Sequence, residues 1–203
     1  MTGPARTPLR KDAIATRERL VRGALELFTT AGYRGTTTLE LAGRAETAEA
    51  TIYRHFAGKE ALFNEAYRHA LKWGIAVIRP VDGARMPTKE RLGRIARRLV
   101  EQVPKDAAMV LMLLRRPDGP NLEDQTHLLA RDVREAVTQL VATGKQDGAV
   151  RPGSAELWGA IWLAVVAFAV ERVAAKEWTP DHPSAVATLE AAWDAISSRP
   201  LPG

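Results

Sequence analysis

The chain of 203 residues contains no cysteine, which excludes disulfide bonds, thiol nucleophiles and thiolate metal sites. Its four histidines are scattered without the spacing of metal ligands, and no clustered pair of carboxylates accompanies them. The serines fall in predicted helix caps and tails. We therefore expect no metal, no cofactor and no catalytic site, and the sequence does not predict an enzyme.

Long hydrophobic runs are also missing. The longest apolar stretch, Leu157 to Val170, has about 14 residues, whereas a membrane-spanning helix needs about 20. The N-terminus carries basic residues with no apolar segment behind them, which is not the pattern of a signal peptide. We therefore expect no membrane partner and a cytoplasmic location.

Signals for β-strands are nearly absent, because alternating β-branched runs and hairpin dipeptides are rare. Apolar residues instead recur at helical spacing, as at Val21, Leu25 and Phe28. Proline or glycine marks the breaks between periodic segments. We predict an all-α fold with an N-terminal three-helix head and a C-terminal helical bundle. The nine predicted helices cover 12–30, 37–45, 48–55, 59–78, 88–103, 105–116, 122–143, 154–177 and 183–198.

Acidic residues are scarce at the N-terminus. Residues 1–72 contain twelve Lys and Arg against eight Asp and Glu, and residues 1–11 contain Arg6, Arg10 and Lys11 with no acid. A local basic excess favours a polyanionic partner, because each neutralised phosphate releases counterions. The pattern favours nucleic acid, with an ordinary solvated face as the alternative. It also predicts that residues 1–11 form a disordered basic tail.

Residues 37–56 contain two short predicted helices joined by a tight turn, which is the spacing of a helix-turn-helix. Thr37 and Glu40 form a predicted capping box at the start of the first helix. Such a pair cannot bury a core alone, so the helix at 12–30 supplies the missing apolar face. The residues expected to pack together are Leu25, Phe28, Leu39, Leu41, Ala42, Ile52 and Phe56.

The stretch from Thr16 to Leu62, about 47 residues, contains short motifs in a continuous series. They are Ala24–Phe28 (ALELF), Gly32-Tyr33, the Thr36-Thr37 cap, Leu41-Ala42, Thr51–Phe56 (TIYRHF) and Lys59–Leu62 (KEAL). In order and spacing these motifs resemble the DNA-binding domain of TetR/AcrR-type transcriptional regulators. The resemblance implies a helix-turn-helix DNA-binding domain at 12–58 and a ligand-sensing and dimerisation domain at 59–203.

The resemblance places DNA contacts around the second short helix. Tyr53 and His55 match positions that usually contact DNA in this family, and Lys59 matches its phosphate-binding lysine. Thr37 at a helix N-terminus can offer its hydroxyl to a phosphate, and Arg54 suits a bidentate contact with guanine. The full set of DNA-binding candidates is Thr37, Ala48, Glu49, Thr51, Tyr53, Arg54, His55 and Lys59.

Several of these residues have a structural alternative. Tyr53 can pack under the first helix, His55 can be a core or capping residue, and Arg54 can be solvated. The basic residues of the N-terminal tail can enter the adjacent minor groove or lie along phosphates.

The chain departs from the family pattern at the turn and at the start of the reading helix. Glu46 replaces the turn glycine, which costs about 1 kcal/mol if its φ is positive. Ala48 replaces the capping serine, so either Thr47 caps the helix or the helix begins uncapped. Glu49 replaces a lysine and would repel phosphate. Either Glu49 reads a cytosine amino group, or operator affinity is modest, or DNA binding is impaired.

The segment at 154–177 is apolar around most of its circumference, so we expect it to be covered on several sides. The resemblance implies that this helix and the one at 183–198 form the homodimer interface, with an intrachain core helix as the alternative. A two-fold dimer would place two reading helices about one DNA turn apart, on a palindromic double-stranded operator.

The resemblance also implies a pocket for a small, substantially apolar effector in the C-terminal domain. Met and Trp side chains suit such a pocket, although ordinary core packing explains them equally well. The candidates are Trp73, Met109, Met112, His127, Trp158 and Trp162. We expect a repressor that the effector releases from its operator. The alternative is a helical ligand-binding dimer with an impaired DNA-reading head.

Overall fold

The computed structural model describes residues 8–81, 85–115 and 119–198, with the backbone alone at 8–11. These residues form nine α-helices and no strand, apart from one antiparallel bridge between Val150 and Ser197. The predicted all-α class is confirmed. The helices are α1 (Pro8–Thr30), α2 (Gly32–Gly35), α3 (Thr38–Arg44), α4 (Glu49–His55), α5 (Lys59–Ile78), α6 (Thr88–Leu114), α7 (Asp124–Gln146), α8 (Ala155–Ala174) and α9 (Pro183–Asp194).

Two helices differ from the prediction. The single turn α2 was not expected, and the segments predicted at 88–103 and 105–116 form the one helix α6. Pro104 lies inside α6 and Asp106 has non-helical backbone angles, φ −156° and ψ 75°. The Asp106 carboxylate accepts a hydrogen bond from the Met109 amide at 3.0 Å. Pro104 therefore kinks the chain where the break was expected, but the Asp106 cap restarts the helix without a loop.

The described chain divides into two compact units. The first contains the residues up to His69 together with 119–126, and the second contains Ala70–Arg115 and His127 onward. The predicted functional limits, 12–58 and 59–203, remain a prediction. Because α1 begins at Pro8, helical backbone extends into the segment expected to be disordered. Residues 1–7, including Arg6, lie outside the described residues, as do the side chains of Arg10 and Lys11.

The core of the first unit joins α1 to the two short helices behind it. Leu25 and Phe28 of α1 are buried, as are Leu41, Ala42, Ile52 and Phe56. The prediction that Leu39 belongs to this core is wrong, because Leu39 is 69% exposed. Residues two apart on a helix point to different sides, so an inward Leu41 turns Leu39 outward.

The second unit is built around α8. Its inner face is buried in the hydrophobic core of the unit and comprises Gly159, Trp162, Val166, Ala169, Val170 and Val173. By length and composition, α8 is the one helix of the described chain that could cross a membrane, with a third of it buried. The uninterrupted apolar run within α8 is still Leu157 to Val170, because Glu156 and Glu171 flank it. Packing against its own unit explains the inner face of α8, and the outer face needs a separate explanation.

Candidate nucleic-acid interface

Helix α3 begins with the predicted capping box. The Thr37 hydroxyl accepts a hydrogen bond from the Glu40 amide at 3.2 Å. The Glu40 carboxylate accepts from the Thr37 amide at 2.7 Å and from its hydroxyl at 2.8 Å. These hydrogen bonds hold the pKa of Glu40 below its usual value, and the one from the Thr37 amide has the largest effect. Thr37 is exposed, but its polar groups already serve the cap.

The turn between α3 and α4 confirms the suspected strain at Glu46. This residue has φ 52°, in the left-handed region where a side chain is unfavourable and glycine is not. Its amide donates to the Gly43 carbonyl at 3.1 Å, and the Thr47 amide donates to the Ala42 carbonyl at 3.0 Å. The turn therefore closes by backbone hydrogen bonds, with the strain concentrated at one residue.

Replacing Glu46 by glycine is expected to raise the free energy of unfolding by about 0.5–1 kcal/mol, because relief of the left-handed strain exceeds the entropy that glycine adds to the unfolded chain. Urea denaturation followed by circular dichroism measures this difference. Glu46→Ala removes the same charge but retains a Cβ, so it should not stabilise. Equal stabilisation by both variants would assign the effect to charge.

Helix α4 begins at Glu49 without a side-chain cap on Ala48, the N-cap residue. Of the two possibilities that the sequence left open, the uncapped start is therefore the observed one. The Glu49 carboxylate instead accepts a hydrogen bond from the Thr38 hydroxyl at 2.5 Å. This bond joins the first residue of α3 to the first residue of α4, and Ala48 is exposed beside it.

The outer face of α4 presents Tyr53 and Arg54. Tyr53 is 60% exposed, so the alternative in which it packs under the first helix is wrong. Thr51, which the sequence offered as a DNA-contact candidate, is only 4% exposed and faces inward. The Thr51 hydroxyl accepts a hydrogen bond from Arg54 Nη2 at 2.9 Å. Thr51 thus supports the exposed guanidinium from below, and His55 is half-buried nearby.

Lys59, the first residue of α5, turns its ammonium toward the chain before α3. Nζ donates to the carbonyls of Tyr33 at 3.0 Å and Thr36 at 2.9 Å, and it lies 4.2 Å from the centroid of the Tyr33 ring. A lysine ammonium has three donors. Two are used in holding the start of α5 to the end of α2, which leaves one for a phosphate.

The family of the chain follows from this segment. The family model described as bacterial regulatory proteins of the tetR family matches residues 20–66, which contain α3, α4 and parts of α1 and α5. Residues 20–66 of this chain are therefore a DNA-binding domain of the tetR family type. The motifs that suggested the family in the sequence lie on these helices, and the predicted membership is confirmed.

Most of the chain is similar to known transcriptional regulators in sequence and to a solved structure in fold. The transcriptional regulator TcmR of Streptomyces glaucescens is 28% identical over 174 residues, covering 80% of this chain and 73% of TcmR. The transcriptional repressor KstR2 of Mycobacterium tuberculosis is 26% identical over 143 residues, covering 67% and 70%. A TetR-family structure from Shewanella sp. PV-4 superposes with a TM-score of 0.72 at 19% identity, covering 91% and 99%. The two relatives are transcriptional regulators by name, and the solved structure shares the fold of this chain.

The six residues suggested for an effector pocket have different environments. Met109, Met112 and Trp162 are buried, whereas Trp73 and Trp158 are half-buried against the core around α8. His127 is exposed, which does not suit an enclosed pocket. A groove of about 1010 Å³ runs along α6 and α9, between residues such as Arg94 and Trp193. None of the six candidates lines this groove.

Proposed function

We propose that this TetR regulator is a cytoplasmic repressor that binds a palindromic operator as a homodimer and is released by a small-molecule effector. The observation that carries the proposal is the outer face of α4, where Tyr53 is 60% exposed and Arg54 is supported by Thr51. Arg54 can donate two parallel hydrogen bonds to O6 and N7 of guanine. Tyr53 and the remaining donor of Lys59 suit contacts with the phosphate backbone.

The outer faces of α8 and α9 support a homodimer. Leu157 and Phe168 on α8 and Val186 on α9 are 52%, 48% and 47% exposed. Ala160 and Ala164 lie between the two large residues of α8 at helical spacing and are exposed as well. Small residues flanked by large apolar ones let two helices approach closely. A two-fold axis at this surface would pair each α8–α9 face with its own copy.

The second unit is the proposed effector domain. Its core contains Trp162, with Trp73 and Trp158 packed against it, and buried Met109 and Met112 add adaptable side chains. An apolar effector would gain most by entering among these residues. Such a ligand weakens DNA binding only if it binds the DNA-free conformation more tightly than the DNA-bound one.

The segment 119–126 offers a route for coupling, because it connects α6 to α7 but belongs to the first unit. Arg68 of α5, 11% exposed, binds Glu123 through Nη1 at 2.5 Å. Asn64, fully buried, accepts a hydrogen bond from the Glu123 amide at 3.0 Å. A Cβ on Gly119 would lie 2.5 Å from the Phe63 ring. The chain itself therefore links α6 and α7 to contacts with α5 inside the first unit.

A pH dependence follows from the carboxylate beneath this segment. Glu65 binds Arg68 and Arg17, each at 2.8 Å. Burial raises the pKa of Glu65, but the bonds and charges of both arginines outweigh it, so the pKa is lower than its usual 4.5. A depressed folded-state pKa stabilises the fold above about pH 4.5, and that stability disappears as the pH falls through the folded value.

Glu65→Gln is accordingly expected to lower the free energy of unfolding by about 1–2 kcal/mol at pH 7. This value lies between the loss expected for breaking an exposed ion pair and that for breaking a buried one. The difference from wild type should shrink below about pH 4.5. Denaturant unfolding at several pH values measures both effects. Glu135→Gln is the matched control, because Glu135 is exposed and pairs with Arg131 across one helical turn. If the loss of stability in Glu65→Gln did not change with pH, the ionised Glu65 carboxylate would not be its cause.

Selection of bound duplexes from a random pool by the full-length protein tests the proposed function. We expect one symmetric consensus whose half-sites lie about one helical turn apart, with affinity that falls steeply as salt increases. Weak binding to every duplex would support the alternative of an impaired reading head, which Glu46 and Glu49 motivate. A single unpaired half-site would exclude the two-fold dimer.

A further inference from the structure

We propose that Glu49 reads an exocyclic amino group, of cytosine or adenine, on the floor of the major groove, and that Thr38 positions its carboxylate for this contact. The inference rests on the proposed operator binding and names a determinant of its sequence. It gives the acidic residue at the start of the reading helix a specific role.

The bond from Thr38 limits the freedom of the Glu49 side chain. The Thr38 hydroxyl donates to Glu49 Oε1 at 2.5 Å, in a half-buried position. Within the described residues, this is the one hydrogen bond of the Glu49 carboxylate, so Oε2 can still accept. A long side chain normally loses rotamer freedom on binding. Here Thr38 has already ordered it in the folded protein.

The helical phase of α4 places Glu49 on the outer face of the head. Glu49 and Tyr53 are four residues apart and therefore lie on the same side of the helix, and Tyr53 is 60% exposed. Ala50 and Arg54 are related in the same way, and both are exposed. A major groove that receives the exposed Arg54 would also bring Glu49, at the start of the same helix, close to the bases.

An ionised carboxylate only accepts hydrogen bonds. In the major groove, cytosine N4 and adenine N6 are donors, whereas guanine O6 and thymine O4 are acceptors at the corresponding positions. A carboxylate placed there would accept a hydrogen bond from cytosine or adenine and would be repelled by the oxygen of guanine or thymine. Glu49 would then select bases at one position of each half-site while it weakens attraction to phosphates everywhere.

The experiment compares consensus sequences from a random duplex pool for wild type, Glu49→Ala, Glu49→Gln and Thr38→Val, each confirmed as folded by circular dichroism. Wild type should prefer cytosine or adenine at one symmetric position by about tenfold or more. Both Glu49 variants should lose or change that preference and keep the rest of the consensus. Thr38→Val should weaken the same preference. Glu46→Gln is the matched control, because it removes an acidic charge from the adjacent exposed turn and should leave the consensus unchanged.

A second measurement uses the wild-type protein and does not depend on the folding of any variant. At the assigned position, cytosine is replaced by 2-pyrimidinone, or adenine by purine, so that only the exocyclic amine is removed. Affinity should fall about tenfold. Unchanged affinity, or an unchanged consensus for Glu49→Ala, would overturn the inference and leave the proposed function intact. If wild type selects no symmetric consensus, the proposed function fails, and the inference fails with it.

Discussion

Replacing Ala164 by arginine is expected to make the protein monomeric and to weaken operator binding by about 10²–10⁴-fold, the advantage that linkage of two reading heads provides. Ala164 is exposed on α8, one helical turn from Phe168, which is 48% exposed. At a two-fold interface each arginine would meet its own copy, so two like charges would be buried without partners. Analytical ultracentrifugation and titration of the selected duplex measure the two effects.

The matched control for this variant is Ala76→Arg, at an exposed alanine on α5, which should remain dimeric and bind the operator normally. Thermal unfolding of both variants shows whether either substitution damages the fold. If Ala164→Arg sedimented as a dimer with full operator affinity, the proposed interface would be wrong. A monomer with undiminished affinity would instead exclude the bivalent mode of binding.

Arg54→Ala is expected to weaken binding to the selected operator by about 5- to 150-fold for each half-site, the value of one good bidentate contact with guanine. Both half-sites lose the contact, so the combined effect of the two reading helices is larger. The Thr51 hydroxyl holds Nη2 of Arg54 at 2.9 Å, which orders the guanidinium before DNA is bound. The preference for guanine at one position should disappear with the side chain.

Arg54→Lys separates charge from geometry at this position, because lysine keeps the charge but cannot form the planar pair of donors. It should retain the affinity for random duplexes and lose most of the preference for guanine. Arg97→Ala, at an exposed arginine of α6, is the control for a general loss of positive charge. Equal losses for operator and random DNA in Arg54→Ala would reduce Arg54 to a phosphate contact.

Local interactions explain why much of the head could be predicted. The capping box joins Thr37 to Glu40, three residues apart, and the apolar spacing of α1 depends only on the helical repeat. The positive φ of Glu46 was anticipated because the matching family position is a glycine. In the first two cases, the residues that decide the structure lie within one or two helical turns of each other.

The same local reasoning did not show which polar groups meet across the fold. Lys59 binds the carbonyl of Tyr33, 26 residues earlier, and Glu49 meets Thr38 across 11 residues. Thr51 was a candidate for a DNA contact, but the phase of α4 turns it inward. The wrong placement of Leu39 has the same origin, because composition cannot give the rotation of a seven-residue helix against its neighbours.

The effector pocket could be anticipated only as a type of environment. Met, Trp and Leu side chains serve equally well in a packed core and in a ligand cavity, so the sequence could not separate Met109 or Trp162 from ordinary core residues. Likewise, the apolar circumference of α8 indicated that the helix packs against others on several sides. It did not show which side is exposed on the surface of the chain. Leu157 and Phe168 were identified as outward-facing only by the packing of the opposite face.

The order of residues alone was sufficient for the all-α class and the helix-turn-helix, because helix periodicity, capping and turn chemistry act over a few neighbouring positions. The family came from the resemblance of the motifs between Thr16 and Leu62. Tertiary structure decided which side chains face outward on α4 and α8, and which carboxylates and cations are paired, because these depend on contacts between segments far apart in the chain. Arg68 and Glu123, 55 residues apart, are the clearest case. Each looks like an ordinary surface charge until folding brings the two together.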